Sequence, residues 1–295
     1  MRRLASGALP RWSRLAALLA LAGCADAPDD PFAAPLPTRC AATPMERALV
    51  VTRMRFVKST APGVSEGFDL DGRASTSDDA SSCRRADFTS PDGARGVDNQ
   101  LSLLVPVLET QTAGGLDAAV QAAINSGQLM LSLSLEALDG RVDDPCVGLT
   151  FRQLTGLPFV GSDQRIDPGQ TFETARDQPV SRVNGRLRGG VVEAGPFTLA
   201  LPVAVLDARF VLTLHDARVR LRWHADDSFD GLLGGSFEAE QLIAVVQTLG
   251  IPAELRGLVA RIVRGIADVA PDASGTCQRF SAAVSFEGRS AFVNP

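Results

Sequence analysis

The chain has 295 residues, of which 45% are hydrophobic and 21% charged, a composition that supports a buried core and excludes wholesale disorder. Its net charge is −5 and no Lys/Arg-rich block interrupts the acidic balance, which argues against nucleic acid as the main partner. Tyrosine is absent, so the aromatic platforms on which carbohydrate stacks are scarce.

At the N-terminus, Arg2, Arg3, Arg11 and Arg14 precede an apolar run from Leu15 to Ala22. The run is too short to cross ~30 Å of hydrocarbon as a helix, and it reads as a signal peptide over residues 1–23. Leu21-Ala22-Gly23-Cys24 resembles the bacterial lipobox. That resemblance implies cleavage before Cys24, a diacylglycerol on its sulfur and an acylated amine. Such chains hold a protein to a bilayer at roughly 0.8 kcal/mol per buried methylene. Ala25 in place of an aspartate leans, by the same resemblance, toward an outer-membrane lipoprotein of the bacterial cell envelope, periplasmic or surface-exposed. The competing reading is an ordinary secretory leader with an incidental cysteine. Residues 24–45 carry Pro28, Pro31, Pro35, Pro37 and Pro44 and read as an extended tether. Residues 46–295 read as one domain, with no further segment long and apolar enough for a transmembrane helix.

With Cys24 lipidated, Cys40, Cys83, Cys146 and Cys277 remain, an even number in an exported chain, which suggests two disulfides. Three connectivities are open, and the reading favours Cys40 with Cys83 and Cys146 with Cys277. No Cys-x-x-Cys spacing points to zinc.

Strands follow from period-two alternation. They are expected at Val50–Phe56, Leu129–Leu135, Phe197–Leu201, Phe210–Leu214, Ala217–Trp223 and Phe280–Phe286, with turns at Asp139-Gly140, Gly189-Gly190, Asp230-Gly231 and Gly234-Gly235. Helices are expected at Leu116–Ser126, stopped by Gly127, at Glu238–Leu249 and at Pro252–Val269, where apolar residues recur at helical spacing. The expected fold is mainly β (α+β): one antiparallel β-sandwich or strongly curved sheet with three or four packed helices. The alternative is a helix-wrapped, lipid-binding β fold.

Between Glu66 and Asn99 the chain holds eight acids against four arginines. Asp69-Leu70-Asp71-Gly72 and Asp92-Gly93-Ala94-Arg95-Gly96-Val97-Asp98-Asn99 bracket this segment. Carboxylates at alternate positions beside a glycine turn suit calcium, which takes six to eight hard oxygens. Arg73 at the third ligand position and the lack of a closing glutamate exclude an EF-hand. A strand, a Leu-Asp-Gly element and Gly-Val-Asp-Asn leading into a helix resemble a family of exported proteins of myxobacteria-like genomes. In that family the motif is a compact Asp-Leu-Asp-Gly-Asp-Gly…Asp-Asn, so Arg73–Pro91 reads as an insertion. The likeness covers residues 46–136 and the cysteine-then-strand ending around Cys277, and it implies a family without an assigned activity. Two readings of the acids stand side by side: Asp69, Asp71, Asp92, Asp98 and Asn99 bind one calcium, or they form Asx-turns and cap a helix near Gln100.

Catalytic signals are weak. His215 precedes Asp216 and His224 precedes Asp226 and Asp227, yet no strand–Gly-x-Ser-x-Gly–helix accompanies them. Arg218, Arg220 and Arg222 line one strand face, either to meet phosphate, an acidic polymer or lipid headgroups, or to discourage edge pairing. The expected function is a non-enzymatic, membrane-anchored envelope lipoprotein of structural or binding role. The alternatives are a carrier of lipid or another apolar ligand, and a hydrolase using His215 or His224.

Overall fold

Alternating apolar and polar side chains demand that each strand keep one dry and one wet face, and a closed barrel meets that demand here. The computed structural model describes residues 35–41, 47–106, 109, 115–205, 208–248 and 253–294. In chain order the strands are β1 (Arg47–Phe56), β2 (Phe88–Thr89), β3 (Arg95–Val97), β4 (Leu131–Glu136), β5 (Asp144–Thr155) and β6 (Thr171–Thr174). There follow β7 (Ser181–Arg188), β8 (Val191–Val205), β9 (Ala208–Trp223), β10 (Ser228–Glu238), β11 (Val269–Pro271), β12 (Cys277–Ser290) and β13 (Phe292–Asn294). The helices are α1 (Gly115–Asn125), α2 (Ala239–Thr248) and α3 (Ala253–Gly265).

An 8-strand antiparallel barrel closes in the order β1-β4-β5-β7-β8-β9-β10-β12 and back to β1. This corrects the sandwich or open curved sheet. The ladder Val147↔Gly185, Leu149↔Val183 and Thr150↔Arg182 between β5 and β7 joins what would be the two free edges. Closure leaves the barrel without a free edge strand, and eight strands leave an interior just wide enough for side chains to fill. The helix-wrapped ligand fold is corrected too, because the interior holds the protein's own residues: Leu49, Leu133, Leu149, Val192, Val219, Phe229 and their neighbours are buried there together. Where the barrel opens among Met54, Leu131, Phe151, Leu199 and Phe286, the free space is about 30 Å³, room for one water.

Two turn expectations fail for one reason. Asp230-Gly231 and Gly234-Gly235 lie inside β10. Phe286 faces Gly231 and Phe229 faces Gly288 across the β10–β12 ladder. A Cβ on Gly288 would sit 1.9 Å from the Phe229 ring, and one on Gly231 would sit 2.5 Å from the Phe286 ring. Gly231, Gly234 and Gly288 leave room for the rings of Phe286, Phe68 and Phe229, and Gly235 leaves room for Leu214. Phe210–Leu214 and Ala217–Trp223, expected as two strands, are one. A bulge at His215–Ala217, with Asp216 at φ 51°, shifts the inward set from even to odd numbers.

Helix α1 matches its expected span and stops at Gly127, whose φ is +76°. Leu249 and Pro252 lie outside the described residues. Helix α3 ends at Gly265, and Val269, expected within it, instead pairs with Arg279 in β11. Helices α2 and α3 cover one end of the barrel through Ile243, Val263, Ile266 and Phe280. Helix α1 packs Ile124 against Val50 on the outer wall. The helix expected near Gln100 is a short 3-10 turn, Gln100–Leu103.

The disulfides are Cys40–Cys146 and Cys83–Cys277, with Cα separations of 5.4 and 5.8 Å. The favoured pairing of Cys40 with Cys83 and Cys146 with Cys277 is thereby overturned, because the partners are chosen by barrel geometry rather than nearness in sequence. Pro37 O accepts from the Asn184 amide at 2.7 Å, so residues 35–41 lie along the wall. Residues 1–34, including the expected signal peptide over residues 1–23 and Cys24, lie outside the described residues.

Candidate metal centre

The segment from Val57 to Asn99 docks on the outer wall where β1 departs from β12. Beyond Phe56 only Val57 N still reaches β12, at Ala283 O. The remaining ladder donors of β12 need other acceptors. Asn99 Oδ1 takes Ala283 N at 3.1 Å, and Asp268 Oδ1 takes Ser281 N at 2.8 Å. Gln100 N then donates to Ser281 Oγ at 2.8 Å, and Asn99 Nδ2 donates to Ser65 Oγ and Glu66 O. Asp98-Asn99-Gln100 therefore stands in for a strand, and Phe68 packs on Leu232 beside it.

This docking fixes the acids. In the Asp69–Gly72 turn, Asp69 Oδ1 accepts from Gly72 N at 2.6 Å and Arg73 N at 3.2 Å, while Asp71 Oδ1 accepts from Arg73 N at 2.9 Å. Asp98, just beyond β3, reaches back to accept Leu70 N at 2.7 Å. Carboxylate oxygens of Asp69, Asp71 and Asp98 come within 4.8 Å of one another. Gly96 closes the wall: a Cβ there would lie 2.4 Å from the Arg73 carbonyl oxygen and 3.5 Å from Asp69 Oδ2. Asp87, whose Oδ2 accepts Ser75 N, stands close enough to Asp98 for the two carboxyls to act on each other.

Burial, opposed by the Leu70 N–H bond and reinforced by Asp87, Asp268 and Asp71, pushes the Asp98 carboxyl up to about 8. Burial also raises Asp87, with Asp71 and Asp69 adding to the shift. Asp268 is 2% exposed and is pushed up to about 7, chiefly by burial, against its two bonds from Ser281. The donor set is hard oxygen, anionic and free of sulfur and imidazole, which suits calcium or magnesium and not a soft metal.

Of the residues expected to bind calcium, three are gathered and two are not. Asp92 is exposed on the outer side of the β2–β3 hairpin, where the Ser90 hydroxyl holds its carboxyl below the ordinary range. Asn99 spends its side chain on β12. Asp87 belongs beside the centre, yet its distance in sequence from either motif hides it. Asp268 was concealed inside an expected helix.

Each histidine meets a carboxylate, and among the described residues no serine hydroxyl bonds either ring. His215 Nε2 lies 3.5 Å from Glu238 Oε1, and the nearby Ser236 hydroxyl turns to the His215 carbonyl. His224 Nε2 meets Asp230, and the Ser228 hydroxyl bonds Asp226 at 2.5 Å. Comparisons with protein-family models, with curated proteins and with solved structures find no match to this chain.

Proposed function

We propose that this chain is a non-enzymatic, membrane-tethered lipoprotein of the bacterial envelope, in which calcium braces an insertion against a barrel of structural or binding role. The observation that carries the reading is the meeting of Asp69, Asp71 and Asp98 with Asp87 behind them. None of the four makes an ion pair among the described residues. Four carboxylates so close relieve their repulsion by holding protons or by sharing a divalent cation. The Asx-turn bonds at Asp69 and Asp71 leave their second oxygens available, and the Arg73 carbonyl lies beside Asp69. The Leu21–Cys24 lipobox supports the envelope address. A carrier role is not favoured, because the barrel opening has space for a water and not an acyl chain.

Thermal melting in rising calcium tests the reading. Calcium at a hundredfold its dissociation constant stabilises by ~2.7 kcal/mol, a rise of roughly 5–10 °C in a domain of this size. Asp71→Asn and Asp98→Asn are expected to abolish that rise. An unchanged melting temperature in millimolar calcium would overturn the metal, and a mass without acyl chains on Cys24 would overturn the anchor.

A further inference from the structure

A cleft of about 420 Å³ runs between the insertion and the outer wall of the barrel. Its floor follows from register. Arg55 lies opposite Ser285, Ser285 opposite Leu232, and Leu232 opposite Arg220. Two residues along the strands, Arg53, Glu287, Asp230 and Arg222 form a parallel row. With neighbouring strands ~4.8 Å apart, Arg55 and Arg220 leave the wall roughly 14 Å from each other. Four arginines thus ring a floor of one hydroxyl and one leucine, and Ser90–Asp92, from the turn between β2 and β3, roofs it.

The acids of the cleft are mostly engaged. Glu287 pairs with Arg165 at 2.8 Å and Arg53 at 3.9 Å, Asp230 meets His224, and Asp92 accepts the Ser90 hydroxyl. Glu66 stands exposed at the rim. Arg220 pairs with Glu193 at 2.8 Å and lies over the Phe68 ring. Arg55 and Arg222 differ: among the described residues neither has an ion pair or a side-chain hydrogen bond. Arg55 is half-buried and Arg222 is exposed. A guanidinium offers five donors and never deprotonates, so both remain cationic and able to take an anionic acceptor.

We propose that this cleft binds a phosphate-bearing ligand, held between Arg55 and Arg222 above Ser285. Charge-assisted bonds from arginine to phosphate suit the fork geometry of both side chains. Leu36 lines the adjoining groove with Arg186, Arg218 and Arg220. On the proposed lipid anchor at Cys24, a lipid headgroup is one source of the phosphate and a soluble phosphate is the other.

The test uses the full chain carrying Cys24→Ala, so that no acyl group ties it to a membrane. Inorganic pyrophosphate is titrated by calorimetry. Cosedimentation compares vesicles containing phosphatidylglycerol with phosphatidylcholine vesicles, which set the baseline. Arg55→Gln/Arg222→Gln is expected to weaken binding about tenfold or more, the scale of a lost charge-assisted pair. The exposed pair Arg176→Gln/Arg261→Gln, away from the cleft, is expected to leave it unchanged. Ser285→Glu, which places a carboxylate on the floor, gives an independent second variant with the same expected loss. Pyrophosphate binding alone supports a soluble phosphate, and phosphatidylglycerol binding alone supports a headgroup. Binding of neither probe, or equal losses in the control pair, overturns the proposal.

Discussion

Asp268 illustrates what a single buried carboxyl does to this protein. Two donors from Ser281 favour its charged form, and burial disfavours it more strongly, so its carboxyl titrates near 7. In the unfolded chain the same group titrates near ~3.9. Between those values the native state holds a proton that the unfolded state has lost. This contribution to stability is complete below the unfolded value and is lost as pH rises through about 7. Asp87 and Asp98 face the same region and push the same way. Without calcium, the free energy of unfolding is therefore expected to fall between about pH 5 and about pH 8. Denaturant titrations at the two pH values check this, and Asp268→Asn, which retains an acceptor for Ser281 N, is expected to flatten the fall. At the same scale, Gly96→Ala is expected to abolish the calcium response, because its Cβ would press on the Arg73 carbonyl and at positive φ is strained as well.

Between elements, the β10–β12 ladder shows how a barrel interior is filled by unequal partners. Phe229 and Phe286 each sit opposite a glycine, and their rings meet edge-on with centroids 5.9 Å apart. Gly288→Ala overfills the site and is expected to cost about 1–3 kcal/mol, the range for an extra methyl in a packed core. Phe229→Leu in the same chain is expected to recover part of that loss, and a double-mutant cycle on equilibrium unfolding measures the coupling. The glycines of β10 also explain why the strand is hard to read: in sequence, Gly-Leu-Leu-Gly-Gly looks like punctuation. The bulge at Asp216 hides β9 in another way, since one extra residue breaks a period of two and makes a continuous strand look like a pair.

For the whole molecule, the disulfides differ in what they hold. Cys83–Cys277 ties the Val57–Asn99 segment to the start of β12, and Cys40–Cys146 ties the 35–41 stretch to β5. Losing either is expected to cost ~2–5 kcal/mol. Cys83→Ser/Cys277→Ser is expected to weaken the calcium response as well, whereas Cys40→Ser/Cys146→Ser leaves it intact; melting curves with and without calcium separate the two. Period-two alternation, the Gly127 stop and the Asp-x-Asp-Gly spacing are local, so the strands β1, β4 and β12, helix α1 and the Asp69–Asp71 pair could be read from residues a few positions apart. Closure of the sheet, the choice of cysteine partners, the arrival of Asp87 beside Asp98, and the diversion of Asn99 to β12 all depend on which distant strands share hydrogen bonds. An alternating strand fits a sandwich, an open sheet or a barrel equally well. The ladder between β5 and β7 selects among them by pairing the last free edges, and the Val57–Asn99 segment comes to rest where β1 leaves the donors of β12 without a strand.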